Sequence, residues 1–214
     1  MSAAATRPAV ADGLERLRRL LHEQGGLMAT LVSPAPRCQP RPEPAGAHSP
    51  QPAATPCPEP AATPGPARAA APSPAAVAAE GPRAAGRREE YELLVEAIYE
   101  GYLLHYGAPR VVRVPEADLG LLAGDQLYAI GLARVVALGD TIAVAELADT
   151  ITLSALAQGA GDGALADAVW SAGARAVGWG PSDAHRRAKD LVCAGAPDAI
   201  EAMRTSAAAA PASP

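Results

Sequence analysis

The chain has 214 residues, a formal net charge of −5, 22 prolines, 20 glycines, five tyrosines, two tryptophans and no phenylalanine. This length allows one domain with appendages, and the negative charge excludes a general nucleic-acid binder, whose surface would be basic. The sequence has no run of the roughly 18–20 apolar residues that a membrane span needs and no secretory leader, which predicts a cytoplasmic protein without a transmembrane segment.

Residues 1–33 are predicted to contain a short amphipathic helix. A helix this short is marginal alone in water and needs a surface to fold against. That surface is its own domain, another protein, or an anionic membrane, although Asp12, Glu15 and Glu23 weigh against the membrane. The docking face of this helix is an apolar stripe of Val10, Leu14, Leu17, Leu20 and Leu21.

Residues 34–86 are predicted to form a disordered linker rich in proline and alanine. The stretch 34–82 carries 15 of the 22 prolines and no aromatic residue, so it buries too little apolar area to offset its ordering entropy. The end of the chain, 196–214, is predicted to hold a weak helix over 198–203 and a disordered tail. The three cysteines, Cys38, Cys57 and Cys193, are too scattered for a disulfide framework or a zinc site.

A helical domain is predicted over residues 87–195, because all seven aromatic side chains lie between positions 91 and 179. Apolar residues recur there at three- and four-residue steps, which predicts an all-α fold, a small bundle of about five helices. Asp118 and Asp140 are expected to cap the second and third helices. The stretch 111–114 is extended and has no obvious pairing partner. The predicted helices cover 87–106, 118–138, 141–158, 164–177 and 181–193.

Most of the polar features in this domain have an ordinary structural interpretation. Four glutamates lie on one side of the first predicted helix, opposite its apolar face, so we interpret them as a solvated face rather than a metal or acid–base site. The glycine-rich stretch 159–163 follows a helix, which indicates a turn rather than a phosphate-binding loop. His185 is predicted to lie at the surface, and Ser154 has no nucleophile motif around it. The four glutamates are Glu89, Glu92, Glu96 and Glu100.

Asp125 is the most informative single residue. Helical periodicity places it in the middle of the apolar face of the second predicted helix, where a carboxylate is costly unless it is paired. That predicted face consists of Leu121, Leu122, Tyr128, Ala129, Leu132, Val135 and Val136. We expect it either to clamp two helices together or to contact a ligand. His105 is expected to be a core or boundary histidine near the end of its helix. The candidate partners of Asp125 are Arg110, Arg113, Tyr99 and Tyr102.

Three short segments carry a family resemblance. LAGDQLYA at 122–129, LGD at 138–140 and ELAD at 146–149 resemble the middle helices of trans-isoprenyl (polyprenyl) diphosphate synthases, and 96–105 is similar to the helix that leads into their first aspartate-rich motif. In that family two aspartates would follow the histidine, whereas Tyr106 and Gly107 stand here, and a second aspartate-rich motif is missing. The resemblance therefore implies part of that fold without the carboxylates that hold magnesium on a diphosphate.

The sequence thus predicts a non-catalytic helical protein-interaction module with a tethered docking helix, and a protein partner of unknown identity. The alternative is a catalytically inactive accessory or regulatory subunit of an isoprenyl diphosphate synthase-like enzyme. An independent enzyme with an unrecognised site is the third possibility. No catalytic residue, metal site or cofactor is predicted.

Overall fold

The structure is a computed structural model that describes residues 9–34 and 72–208, and those residues contain nine α-helices and one 3₁₀ turn, Pro82–Ala84. This corrects the prediction of about five helices, although the all-α class is confirmed. The helices are α1 (Ala9–Gln24), α2 (Gly26–Leu31), α3 (Pro74–Glu80), α4 (Arg88–Tyr106), α5 (Ala117–Ala137), α6 (Thr141–Gly159), α7 (Gly163–Trp179), α8 (Asp183–Cys193) and α9 (Ala199–Ala208).

The five predicted helices of the domain are confirmed as α4 to α8, with ends that differ by at most two residues. Side-chain caps account for this agreement at α6, α7 and α8. The predicted cap at Asp118 is wrong, because α5 begins after Glu116 and has no side-chain cap. The Asp140 carboxylate accepts a hydrogen bond from the Ala143 N–H at 3.0 Å, and the Asp162 carboxylate accepts one from the Leu165 N–H at 2.9 Å. These side chains satisfy backbone donors that the first turn leaves free. The stretch 159–163 is the predicted turn, between α6 and α7.

The predicted linker, 34–86, is wrong at its C-terminal end, where α3 and the 3₁₀ turn lie between α4 and α7. Ser73 caps α3, and alanines of this segment are fully buried. The backbones approach so closely here that a Cβ added at Gly81 would lie 2.1 Å from the Gly178 carbonyl oxygen. Small residues are required at such a contact, so the composition that predicted disorder serves packing instead. The rest of the predicted linker, 35–71, and both Cys38 and Cys57 lie outside the described residues.

The N-terminal helix packs on its own domain, which corrects its assignment to an external partner. Leu17, Leu20 and Leu21 are buried, and Leu14 is half-buried. Together with Met28 and Leu31 of α2 they cover apolar residues of α4, α5 and the stretch after α4, namely Ala97, Val111, Val112, Ala123, Leu127 and Ile130.

The extended stretch 111–114 has a pairing partner that the sequence did not reveal. Val112 forms an isolated antiparallel bridge with Val32, at the end of α2. The Ser33 N–H donates to the Val111 carbonyl at 2.7 Å, and the Arg113 N–H donates to the Leu31 carbonyl at 2.8 Å. The bridge connects the N-terminal helices to the segment between α4 and α5.

Glycines let α4 and α5 pack closely. A Cβ added at Gly131 of α5 would lie 2.3 Å from the Ile98 side chain, and one added at Gly101 of α4 would lie 2.9 Å from the Gly124 carbonyl. Of the described helices, α5 alone is long and apolar enough, by length and composition, to cross a membrane. Its packing against α4 is a structural reason for that composition.

The C-terminal helices form the last layer. Met203 and Ala199 of α9 are buried with residues of α6, α7 and α8, among them Leu153, Val169 and Val192. The predicted weak helix is thus real and extends to Ala208, so the predicted tail is helical at its start, and residues 209–214 lie outside the described part of the chain.

Candidate functional site

The glutamates of α4 are buried, which corrects the prediction of a solvated acidic face. Glu96 and Glu100 are both 0% exposed, Glu92 is also buried, and only Glu89 lies in solvent. Glu100 Oε1 accepts hydrogen bonds from three consecutive backbone N–H groups, those of Arg110, Val111 and Val112, at 2.7, 2.6 and 3.1 Å. This carboxylate therefore holds the chain as it returns from the end of α4.

Arg110 completes this cluster. Its Nη2 donates to Glu96 Oε2 at 2.6 Å, its Nε donates to Glu100 Oε2 at 3.2 Å, and its guanidinium lies 4.9 Å from the centre of the Tyr99 ring. Burial raises the pKa of Glu96, and the nearby Arg110 offsets only part of that effect. Nε and Nη2 of Arg110 thus bind the two buried carboxylates of α4.

Asp125 lies on the solvent side of α5, which corrects its predicted place in an apolar face. Its side chain is 70% exposed, and Oδ1 lies 3.2 Å from His105 Nε2. His105 stacks on Tyr128 with 5.3 Å between ring centres. The predicted arginine partners lie elsewhere, since Arg110 pairs with the glutamates and Arg113 is exposed and bonded through its backbone.

The reason for this error is the face that α5 buries. Periodicity assigned the larger apolar residues of α5 to the core, including Leu121, Leu122 and Val136. The structure exposes these three and buries the small residues instead. Close packing against α4 favours glycine and alanine over leucine at this contact, so the helix is rotated relative to the prediction. The buried side consists of Gly120, Ala123, Gly124, Leu127, Ile130, Gly131 and Val135.

A second buried carboxylate cluster joins α6, α8 and α9. Glu146 Oε2 lies 3.0 Å from His185 Nε2, and both Glu146 oxygens accept from Lys189 Nζ at 3.1 Å. Lys189 also contacts Asp149 at 2.7 Å. His185 is 4% exposed, so the prediction of a surface histidine is wrong. Burial alone would raise the pKa of Glu146, but the hydrogen bonds from His185 and Lys189 outweigh it and hold that pKa below its usual value.

Ser206, His185 and Glu146 are connected in the order of an acyl-transfer triad, since His185 Nδ1 lies 3.3 Å from Ser206 Oγ. Their surroundings do not suit that chemistry. The Ser206 hydroxyl is buried within α9 and donates to the Met203 carbonyl at 3.0 Å, and Lys189 neutralises Glu146. A nucleophile needs access to substrate and a free base, so this group of residues serves as a structural link between three helices.

A third polar cluster fixes the start of α6. The Asp140 carboxylate contacts both Arg83 and the Tyr91 hydroxyl. Burial raises the pKa of Asp140, but hydrogen bonds from Tyr91 and the Ala143 N–H outweigh it, so the pKa is lowered. Burial and the hydrogen bond to Asp140 raise the pKa of Tyr91 to about 12. These groups also serve the fold, because each of them is engaged within the protein.

Metal-binding geometry is missing from the described residues, where no three or more His, Cys, Asp or Glu side chains lie together as ligands. The cavity between α7 and α9, about 440 Å³, is an open depression lined by alanines with Asp167, Ser171 and Arg204. Cys193 is exposed as a free thiol.

Helices α5 and α6 carry large apolar side chains that the described residues leave exposed. Leu122 is 64% exposed and Val136 is 61% exposed. Leu122, Ala129 and Val136 are spaced seven residues apart, which places all three on one side of α5. We call the exposed apolar residues of these two helices the α5–α6 face: Leu121, Leu122, Ala129, Val136, Ile142 and Leu156. That seven-residue spacing was the available signal for this face in the sequence.

Comparison with protein-family models, with curated proteins and with solved structures found no match to the chain. The isoprenyl diphosphate synthase-like resemblance therefore stays a prediction from short segments.

Proposed function

We propose that the chain is a non-catalytic helical protein-interaction module, and that the α5–α6 face binds an apolar helical surface of another protein. The docking role thereby passes from the N-terminal helix, whose leucines are buried within the chain, to a surface that residues 9–34 and 72–208 leave exposed.

The state of the buried polar groups supports a non-catalytic role. The carboxylates of Glu96, Glu100 and Glu146 are bound by Arg110, by backbone N–H groups, or by Lys189 and His185. A general acid, a general base or a metal ligand must be able to reach a substrate or an ion. These side chains face helices of their own protein instead.

The observation that carries the proposal is the exposure of the α5–α6 face. Scattered apolar residues are normal at protein surfaces, but large apolar side chains grouped on neighbouring elements mark interaction sites. Five of the exposed large apolar residues, among them Leu122, Val136 and Leu156, belong to two consecutive helices. Apolar residues at seven-residue spacing pack well against a second helix.

A second proposal is an inactive accessory subunit of an isoprenyl diphosphate synthase-like enzyme. It is favoured by the contact between His105 and Asp125, 3.2 Å apart, because both residues belong to the segments that resemble that family. In this case the partner bound at the α5–α6 face would be the catalytic subunit.

Affinity capture with single substitutions tests the face. The full chain is immobilised, exposed to extract of its own source cells, and the retained proteins are quantified by mass spectrometry. Burying a leucine contributes about 1.5–3 kcal/mol, so Leu122→Glu should reduce the retained partner at least tenfold. Leu27→Glu is the matched control, because Leu27 of α2 is also exposed, at 53%, but lies outside the face.

The outcome separates the proposals. Loss of a partner from Leu122→Glu but not from Leu27→Glu supports the interaction module, and a prenyl synthase as that partner supports the accessory subunit. Equal retention by all three chains would contradict the α5–α6 face as the binding surface. Magnesium-dependent prenyl transfer by the purified chain alone would contradict both proposals.

A further inference from the structure

The N-terminal helices α1 and α2 and the surface beneath them form a self-contained docking pair. Five of their large apolar residues are buried against the rest of the chain: Leu17, Leu20, Leu21, Met28 and Leu31. The fit is close, since a Cβ added at Gly13 would lie 2.9 Å from Glu92 Oε1. We call α1 and α2 with the residues up to Ser33 the N-terminal clamp, and the covered surface of α4, α5 and 111–112 its seat.

Polar contacts fix the orientation of the N-terminal clamp on its seat. Arg16 forms an ion pair with the buried Glu92, and Arg18 Nη2 donates to the Arg110 carbonyl at 3.4 Å. The bridge between Val32 and Val112 adds two backbone hydrogen bonds. These contacts give the pair a single register, as in a specific protein interface.

The clamp is joined to the rest of the chain by residues 35–71. The maximal length of a connection of roughly 40 residues is about 130 Å, which is long enough for a clamp to reach the seat of a second copy. We propose that the seat is a helix-docking site that also accepts the N-terminal clamp of a second copy of this chain, giving a reciprocal exchanged dimer. Every contact described above is available between two chains as well as within one.

The balance between the two arrangements follows from concentration. A tethered segment meets its own seat at an effective concentration in the millimolar range, so a chain at ~100 μM is mainly monomeric, with an exchanged share on the order of a tenth or less. Exchange of identical elements needs no new interface. A covalent trap is therefore required to collect the exchanged form.

The bridge offers that trap. Its hydrogen-bond pattern makes Val32 and Val112 a non-hydrogen-bonded antiparallel pair, for which Cα atoms lie about 4.5 Å apart, within the range for a disulfide. Full-length chains with their three cysteines changed to serine are prepared in two pools, one with Val32→Cys and the other with Val112→Cys. Neither pool can form this disulfide within one chain. Under mild oxidation of the mixed pools we expect a mixed dimer, identified by mass, that joins positions 32 and 112.

Two controls make the result decisive. A chain with both substitutions must form the disulfide internally, which checks the bridge. A pool that keeps only the exposed Cys193, mixed with the Val32→Cys pool, measures random collisions. The proposal predicts at least tenfold more mixed dimer with Val112→Cys than with Cys193. Equal yields, or failure of the doubly substituted chain to close its own disulfide, would overturn it.

Discussion

Glu96 and Glu100 occupy successive turns of α4, and their buried side chains share one arginine. Glu100 accepts four hydrogen bonds in all, three from backbone N–H groups and one from Arg110. For Glu96, the raised pKa shows that burial outweighs the attraction of Arg110. Burial thus disfavours the charged form of the Glu96 carboxylate, whereas four hydrogen bonds engage the Glu100 carboxylate.

This difference predicts opposite effects of two matched substitutions. The pKa of the Glu96 carboxyl is higher in the folded state than its unfolded value of about 4.5. The free energy of unfolding therefore falls as the pH rises from that value through the folded pKa, and below it the carboxyl causes no such loss. Glu96→Gln removes this loss, so the variant should gain stability relative to the wild type between pH 4.5 and pH 7.5. Urea unfolding at several pH values measures the difference.

Glu100→Gln is the counterpart. The substitution removes the negative charge that accepts these four hydrogen bonds. If the amide oxygen takes the place of Oε1, the amide NH2 group faces the Arg110 Nε–H, so two donors meet. The free energy of unfolding should therefore fall by about 3 kcal/mol. If Glu96→Gln and the wild type change in parallel with pH, the carboxyl of Glu96 does not titrate in this range and the argument from burial fails.

The sequence could not reveal this cluster for a physical reason. Glutamates at three- and four-residue spacing usually line a solvated face, and nothing local to α4 distinguishes these from such a face. They are buried because the chain returns over them at Arg110–Val112, a contact between residues ten or more positions apart. Asp125 shows the converse, since only the packing of α4 against α5 decides that it is exposed.

At the scale of elements, local chemistry predicted the helices well and their orientation poorly. Side-chain caps at Asp140, Asp162 and Ser182 mark where α6, α7 and α8 begin, and these are features of a few consecutive residues. Which side of α5 is buried depends on whether glycine or leucine fits against α4. Ser73 and Pro74 are a local start signal for α3, but the burial of its alanines depends on contact with α7. These features depend on contacts between two helices, which the sequence of either helix alone does not reveal.

The link between α6 and α8 gives a prediction at this scale. Glu146→Gln leaves Lys189 and His185 facing a neutral side chain, so α8 should detach more easily and its backbone amides should exchange hydrogen at least tenfold faster, measured by mass spectrometry. Because the pKa of Glu146 is lowered, this contribution is present above the unfolded value of about 4.5 and is lost as the pH falls through the folded pKa.

Asp149→Asn is the matched control, since Asp149 contacts the same Lys189 but is 51% exposed. A half-exposed ion pair contributes little, so exchange in α8 should stay close to that of the wild type. Equal acceleration in both variants would mean that Glu146 holds α8 no more firmly than a surface carboxylate does.

At the scale of the whole molecule, the described residues bury a few ionisable side chains between helices and leave a few large apolar side chains exposed. The buried acids join helices, the N-terminal clamp covers one apolar surface, and the α5–α6 face is exposed in the part of the chain that the structure describes. Composition and periodicity predicted the all-α class, which the described residues confirm. They assigned the docking role to a helix that the chain itself covers, because the apolar stripe of a helix indicates burial without indicating against what.

Hydroxyl-radical footprinting of the full chain, with and without the partner that the wild type retains, tests the binding role of the α5–α6 face most directly. Exposed leucine and valine side chains are oxidised in the free protein, and a bound partner shields the ones that it covers. We predict that oxidation of Leu122 and Val136 falls at least fivefold on binding, while that of Leu27 is unchanged. Undiminished oxidation of Leu122 and Val136, with shielding found on other helices, would contradict the account.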